Sequence, residues 1–146
     1  MAKIKKTNAF WKLANSVVNV IFIFLVSLPF LYTLGFDSIY YKIIVVLLFL
    51  AYELIVAITP KKVDFGDIVT GSRWIKKYSV KNHMIFAFLY SLSFSTTFIW
   101  IFFPFDLLLV NILLVQLPFV LKTGYTLHGY LSGRMAGTRD IKKVTE

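Results

Sequence analysis

The sequence predicts an all-α fold, a bundle of four transmembrane helices with both termini on the cytoplasmic side. Two observations carry that expectation. Four long apolar runs lie between Trp11 and Leu121, and fifteen of the sixteen cations fall in segments that would share one side of a bilayer. The composition agrees: 58% of the 146 residues are hydrophobic and the mean hydropathy is +0.75, well above a soluble domain. No stretch is left over for a second core, so the chain reads as a single transmembrane domain, 1–146.

The runs are 13–34, 38–58, 84–103 and 105–121. A helix needs about 20 apolar residues to cross a hydrocarbon core of about 30 Å, and the fourth run only just qualifies. The first has the basic start of a secretory leader, but it is too long for a leader's apolar core and no small-x-small site follows, so it reads as an uncleaved anchor. Pro104 separates the third and fourth runs, with Asp106 just beyond. Proline cannot extend the hydrogen-bond ladder and aspartate favours headgroups, so 103–106 reads as a tight turn. A buried hairpin that never crosses is the alternative. Pro118 frees the carbonyl of Leu114 and is expected to kink the fourth helix. Trp11, Tyr40, Tyr41 and Trp100 fall near the boundaries, as aromatic belt residues do.

Orientation follows from the cations. Lys3, Lys5, Lys6 and Lys12 precede or open the first run, and Lys61, Lys62, Arg73, Lys76, Lys77 and Lys81 fill the 59–83 loop. Lys122, Arg134, Arg139, Lys142 and Lys143 follow the fourth run in the 122–146 tail, which leaves Lys42 alone on the other side. The positive-inside bias places the N-terminus, middle loop and C-terminus in the cytoplasm of a multi-pass plasma-membrane protein. The net charge of +9 then reflects orientation and attraction to anionic inner-leaflet lipid, not nucleic acid. There is no cysteine, and His83 and His128 lack metal-ligand spacing, so no metal or cofactor is expected.

Polar groups inside the runs hold the functional information. Lys12, Asn15, Ser16 and Asn19 share one face of the first helix. Glu53 is the one ionisable side chain well inside a run. At about 1.5 Å per residue, Asn19 and Glu53 lie roughly 8–10 Å above the inner boundary, and Tyr90, Ser91 and Gln116 fall near the same depth. Lipid penalises each of these groups, so they are expected to face one another as an intramembrane polar layer. That layer reads as a hydrogen-bonded clamp, as a proton- or ion-linked site on Glu53, or with Glu53 facing headgroups or paired with Lys12. On the third helix Ser91/Ser95 and Ser93/Thr97 are one turn apart, a spacing suited to close helix packing or to docking another membrane protein.

In the middle loop, Phe65, Ile68, Val69, Ser72 and Ile75 follow a helical period while Asp64, Asp67, Lys76 and Lys77 fall mainly elsewhere. This predicts a short helix lying on the inner leaflet. Gly66 and Gly71 weaken it by about 1 kcal/mol each and point to turns or close backbone approach.

Three segments together resemble the RDD family of small bacterial membrane proteins. Lys12-Leu13-Ala14-Asn15-Ser16-Val17-Val18-Asn19 has the spacing of that family's R-x-x-A-x-x-I-D. Phe65-Gly66-Asp67-Ile68-Val69-Thr70-Gly71-Ser72-Arg73 is similar to its P-G-K-x-x-x-G-x-R loop. Ser132-Gly133-Arg134-Met135-Ala136-Gly137-Thr138-Arg139 is similar to H-D-R-x-A-G-T-R, matching from Arg134 onward. The residues that name the family are replaced by Lys12, Asn19 and Gly133. The resemblance implies a divergent member that keeps the scaffold without the aspartates able to carry protons or cations. Arg73, Arg134 and Arg139 lie in these segments and are the candidate contacts for lipid or a partner.

Two functional classes fit. One is a noncatalytic accessory, regulatory or immunity-type partner acting through intramembrane helix contacts with a membrane protein. The other is a subunit of a homo-oligomeric transporter for ions or small solutes that uses Glu53. No nucleophile–base pair, HExxH or phosphate-cradling glycine loop is present, which argues against an enzyme.

Overall fold

A computed structural model describes residues 5–139; Lys3, Lys142 and Lys143 lie outside the described residues. The elements are α1 (Ala9–Val26), α2 (Leu28–Leu34), α3 (Ile39–Ile58), α4 (Phe65–Thr70), β1 (Arg73–Trp74), α5 (Val80–Ser95), a 3₁₀ turn (Thr96–Phe98), α6 (Asp106–Val110), α7 (Leu117–Thr123), α8 (Leu127–Leu131) and β2 (Gly137–Thr138). A π-helical segment, Asn111–Gln116, joins α6 to α7, giving one continuous helix, Asp106–Thr123. The fold is all-α apart from one antiparallel pair, Arg73 with Thr138 and Trp74 with Gly137.

Among the described residues three helices, Ala9–Val26, Ile39–Ile58 and Asp106–Thr123, are long and apolar enough to cross a membrane. Each differs in detail from the run that predicted it, except the second. The first run is not one helix. Asn8 caps its start by accepting from Trp11 N (3.0 Å), and the helix breaks at Ser27 because Pro29 supplies no N–H to continue it. Ser27 Oγ turns back to Phe24 O (2.9 Å) and meets the Tyr41 hydroxyl (2.9 Å). That pairing explains a second departure: Tyr41 is fully buried, so it is a core residue and not part of an aromatic belt.

The third helix starts four residues early and stops at Ser95, leaving 99–105 non-helical in place of a tight 103–106 turn. Asp106 holds that longer loop. Its carboxylate accepts from the backbone N–H groups of Ile101 (3.0 Å), Phe102 (2.6 Å) and Leu107 (2.7 Å), so it is a buried organiser and not a solvated cap. Pro118 leaves a break, as expected, but the helix absorbs it as the π segment just upstream. The middle-loop helix is only Phe65–Thr70, capped by the Asp64/Asp67 box and stopped by Gly71 at φ 67.

The core is a seam between α3 and α5. Tyr41, Val45, Phe49, Glu53 and Ala57 recur every fourth residue and form the buried face of α3. Phe49 stacks on Phe94 at 4.3 Å and meets Tyr90 edge-on at 5.0 Å. Ile23 of α1 closes this cluster.

The long helices alternate in direction, as their end contacts show. At one end Phe36 meets Tyr41, Phe98 and Trp100, and Lys42 lies 4.9 Å over the Trp100 ring. At the other end, segments distant in sequence are knitted into a cap. Thr7 N donates to Gly137 O (2.8 Å), Ile75 N to Ala136 O (3.0 Å), and Lys6 Nζ to Thr123 O (3.3 Å). Tyr78 OH donates to Arg134 O (3.2 Å) and accepts from Ala136 N (3.1 Å). The N-terminal segment, the middle loop and the C-terminal segment therefore share one end of the bundle. Around the helices, large apolar side chains face outward, with Leu114 71% and Leu121 73% exposed, the pattern of a surface that lies against lipid.

Candidate functional site

Beneath the cap, the polar face of α1 meets α4. Asn19 is fully buried and sits at the centre. Its Nδ2 donates to Asp64 Oδ2 (2.9 Å) and to Asn15 Oδ1 (3.1 Å). Its Oδ1 accepts from Gly66 N (2.8 Å) and from Tyr52 OH (3.2 Å). A side-chain amide has two donors and two acceptor lone pairs, and all four are used. An aspartate here would lose the donors that reach Asp64 and Asn15, so an amide suits this position. Asn15 extends the lock by donating to Asp67 Oδ1 (2.7 Å). Asp64 Oδ1 accepts from Asp67 N (2.6 Å), and Tyr52 OH accepts from Phe65 N (2.6 Å). Gly66 makes this approach possible, since a Cβ there would lie 2.5 Å from Asn15 O. The apolar side chains Ile68 and Val69 point outward and Phe65 lies half-exposed against Phe22 of α1 at 5.2 Å, while Asp64 and Asp67 turn inward to α1.

Of the residues expected in one polar layer, Asn19, Glu53, Tyr90 and Ser91 are buried. Glu53 Oε1 has no hydrogen-bond partner among the described residues, and Lys12 does not pair with it: Lys12 Nζ donates to Thr7 O (2.7 Å). Tyr90 OH donates to Ser16 Oγ (2.9 Å), and its ring stacks on His128 at 4.7 Å. Ser91 bonds back to Ala87 O (2.8 Å) and Ser95 to Leu92 O (2.6 Å). Gln116 stands apart: its Oε1 accepts from Leu127 N (3.1 Å) and its Nε2 donates to Asn111 Oδ1 (3.4 Å). Of the hydroxyl pairs on α5, Ser93 joins helices, accepting from Asn111 Nδ2 (2.7 Å), while Thr97 O accepts from Trp100 Nε1 (2.9 Å).

The three arginines do not make one pocket. Arg139 donates to Thr70 O (2.9 Å) and covers the Trp11 ring at 3.6 Å, while Arg73 donates to Ser72 O (2.6 Å), so these two gather at the C-terminal end of α4. Arg134 lies over Tyr130 at 5.5 Å.

Two spaces adjoin the lock. A polar cavity of about 80 Å³, room for on the order of three waters, is lined by Asn15, Asp64, Asp67, Thr7, Lys12 and His128 among others. Thr7 Oγ1 and His128 Nδ1 are buried there without a partner among the described residues. Burial, reinforced by the charge of Lys12, pushes the His128 imidazole down to about 3, so it is neutral. A larger, apolar groove of about 450 Å³ runs between α1, α5 and the Asp106–Thr123 helix. Lys12, Ser16, Tyr90, Thr126 and His128 line both spaces and mark their junction.

Burial raises the Asp64 carboxyl above the ordinary carboxylate range, opposed by Asp67 N–H and the Asn19 amide. The Asp67 carboxyl is raised well above it, by burial first and by the charge of Asp64 second. Each then holds a proton in the folded chain that the unfolded chain has released, so stability falls as pH climbs from the unfolded value, about 3.9, toward the folded one. The thermal midpoint in detergent is expected to drop as pH is raised above the unfolded carboxylate value of about 3.9, and Asp67→Asn to flatten that slope. A midpoint that rises with pH there contradicts it.

Sequence reasoning missed Asp64, Asp67, Tyr52 and His128 as parts of this site. The D-x-x-D spacing ahead of an apolar turn was the available signal for the first two. Comparison of the chain with family models, with curated proteins and with solved structures yields no match.

Proposed function

We propose that this chain is a noncatalytic accessory or immunity-type protein of the bacterial plasma membrane, a divergent RDD-like scaffold that works by holding an apolar segment of another membrane component. In this reading four helices cross, and the cap lies in the cytoplasm with both termini. The alternating directions and the concentration of cations in the cap segments support that topology. The fourth crossing is α5. Its sixteen residues span about 24 Å, and the 3₁₀ turn adds about 6 Å, which brings it to the thickness of a hydrocarbon core.

The observation that carries the functional reading is the groove, an apolar slot between α1, α5 and the Asp106–Thr123 helix. The lock on the other side of α1 is internally satisfied around Asn19 and leaves little for a partner to bind. A photo-crosslinking residue at Val17, which lines the groove, is expected to give one or a few discrete adducts in native membranes. The same residue at Leu47, exposed on α3, should give only diffuse labelling. Equal diffuse labelling from both contradicts the proposal. A second reading, proton- or ion-linked transport by an oligomer, rests on the unpartnered Glu53 Oε1. It requires proton flux in liposomes that Glu53→Gln abolishes.

A further inference from the structure

We infer that the groove holds one acyl chain of an anionic phospholipid from the leaflet beside the cap, with the lipid phosphate meeting Lys12 at the junction between groove and polar cavity. This rests on the groove being the working surface and names its occupant.

Length is the first argument. On α1 the groove runs from Ala9 to Ile21. At about 1.5 Å per residue that is roughly 18 Å, a little over half of a hydrocarbon core of about 30 Å and so close to the depth of one leaflet's chains. The walls are the second: over that depth the slot is lined mainly by apolar side chains from three helices, as an acyl chain requires.

The polarity gradient supplies the headgroup. Leu13, Val17, Leu113 and Leu117 line the slot, and at its cap end come Lys12 and His128. Lys12 Nζ is bonded to Thr7 O and feels the charge of Lys6, so an anion between these two ammonium groups relieves their repulsion. Lys6 itself reaches Thr123 O at the end of α7, one turn from the groove residue Val120. His128 Nδ1 and Thr7 Oγ1 are buried, unpartnered among the described residues, and line the cavity at that point, where a phosphate oxygen can take their protons in hydrogen bonds. Asp64 and Asp67 line the inner cavity but not the groove, and amide and backbone N–H groups already face them. The first charge that a ligand in the groove meets is therefore positive.

Native mass spectrometry of the detergent-purified protein with phosphatidylglycerol, phosphatidylcholine of identical chains, or inorganic phosphate tests this. One phosphatidylglycerol is expected to bind about tenfold tighter than phosphatidylcholine, with no binding of free phosphate in its place. Lys12→Gln should bring the anionic lipid down to the level of the neutral one, Lys12→Arg should retain the preference, and Val17→Trp or Leu113→Trp should block both lipids. Equal binding of the two lipids, or a preference that survives Lys12→Gln, overturns the inference. If Val17 crosslinks to a protein segment while no lipid preference is found, the lipid assignment fails and the groove reading stands. Absence of any discrete adduct removes both.

Discussion

Asn19→Leu is expected to cost the folded protein on the order of 3–6 kcal/mol, enough to abolish a cooperative thermal transition in detergent or to shift it down sharply. Leucine keeps the branched skeleton of asparagine with bulkier methyl ends, so overpacking adds to a loss that is chiefly polar. The loss comes from what the amide leaves behind. Gly66 N–H loses its acceptor, the Tyr52 hydroxyl loses a partner, and both Asp64 Oδ2 and Asn15 Oδ1 lose a donor. Each orphaned buried group costs about 1–3 kcal/mol, and the one ring contact of α4 on α1, Phe65 on Phe22 at 5.2 Å, does not replace those bonds. Asn19→Asp keeps the shape but turns acceptors toward Asp64, so it too should be destabilised. Scanning calorimetry or a thermal-shift assay on the purified protein reads both. An Asn19→Leu variant within about 1 kcal/mol of the parent would show that the network does not hold α4.

Gly66→Ala is the second large effect. A Cβ at this position would lie 2.5 Å from Asn15 O and 2.7 Å from Asn15 Oδ1. The first of these is a backbone oxygen inside α1 and cannot step aside, so α4 must lift away from α1. That movement breaks the bonds from Gly66 N to Asn19 and from Asn15 to Asp67 together. A loss of about 3 kcal/mol or more follows, with hydrogen exchange rising across 64–71 while the α3–α5 core stays protected. Gly71 provides the comparison. It needs a glycine for its left-handed backbone, φ 67, but a Cβ there meets nothing within 4 Å, so Gly71→Ala should cost about 1 kcal/mol. Equal effects at the two glycines would contradict the close approach.

Much of this arrangement is legible in the chain. Lys12, Asn15, Ser16 and Asn19 share a face because helical periodicity requires it, and that face forms the contact with α4 and Tyr90. Burial of Glu53 follows from a four-residue repeat along α3 whose other members are apolar. The inward turn of Asp64 and Asp67 is harder to read, because two aspartates in a basic loop ordinarily face water. Only the depth of Asn15 and Asn19 on a neighbouring helix makes burying them favourable. The break at Ser27 is signalled locally by Pro29 alone, because hydropathy runs smoothly through 13–34, and its pairing with Tyr41 depends on the turn between the helices. Asn111 and His128 depend on which helices become neighbours, a property of the whole bundle and not of any local window.

If α5 and the Asp106–Thr123 helix both cross the bilayer, the 99–105 loop emerges on the side opposite the cap. The chain contains no cysteine, which makes single introduced thiols unambiguous reporters. Phe102→Cys, Asp37→Cys and Lys77→Cys, each at an exposed position, are to be treated in intact cells with a membrane-impermeant maleimide. Labelling of Cys at positions 102 and 37 from outside, with position 77 labelled only after permeabilisation, is the expected result. Labelling of position 102 only after permeabilisation, alongside position 77, would mean that the last two helices form a hairpin that does not cross, and the groove would then not face the leaflet assigned to it.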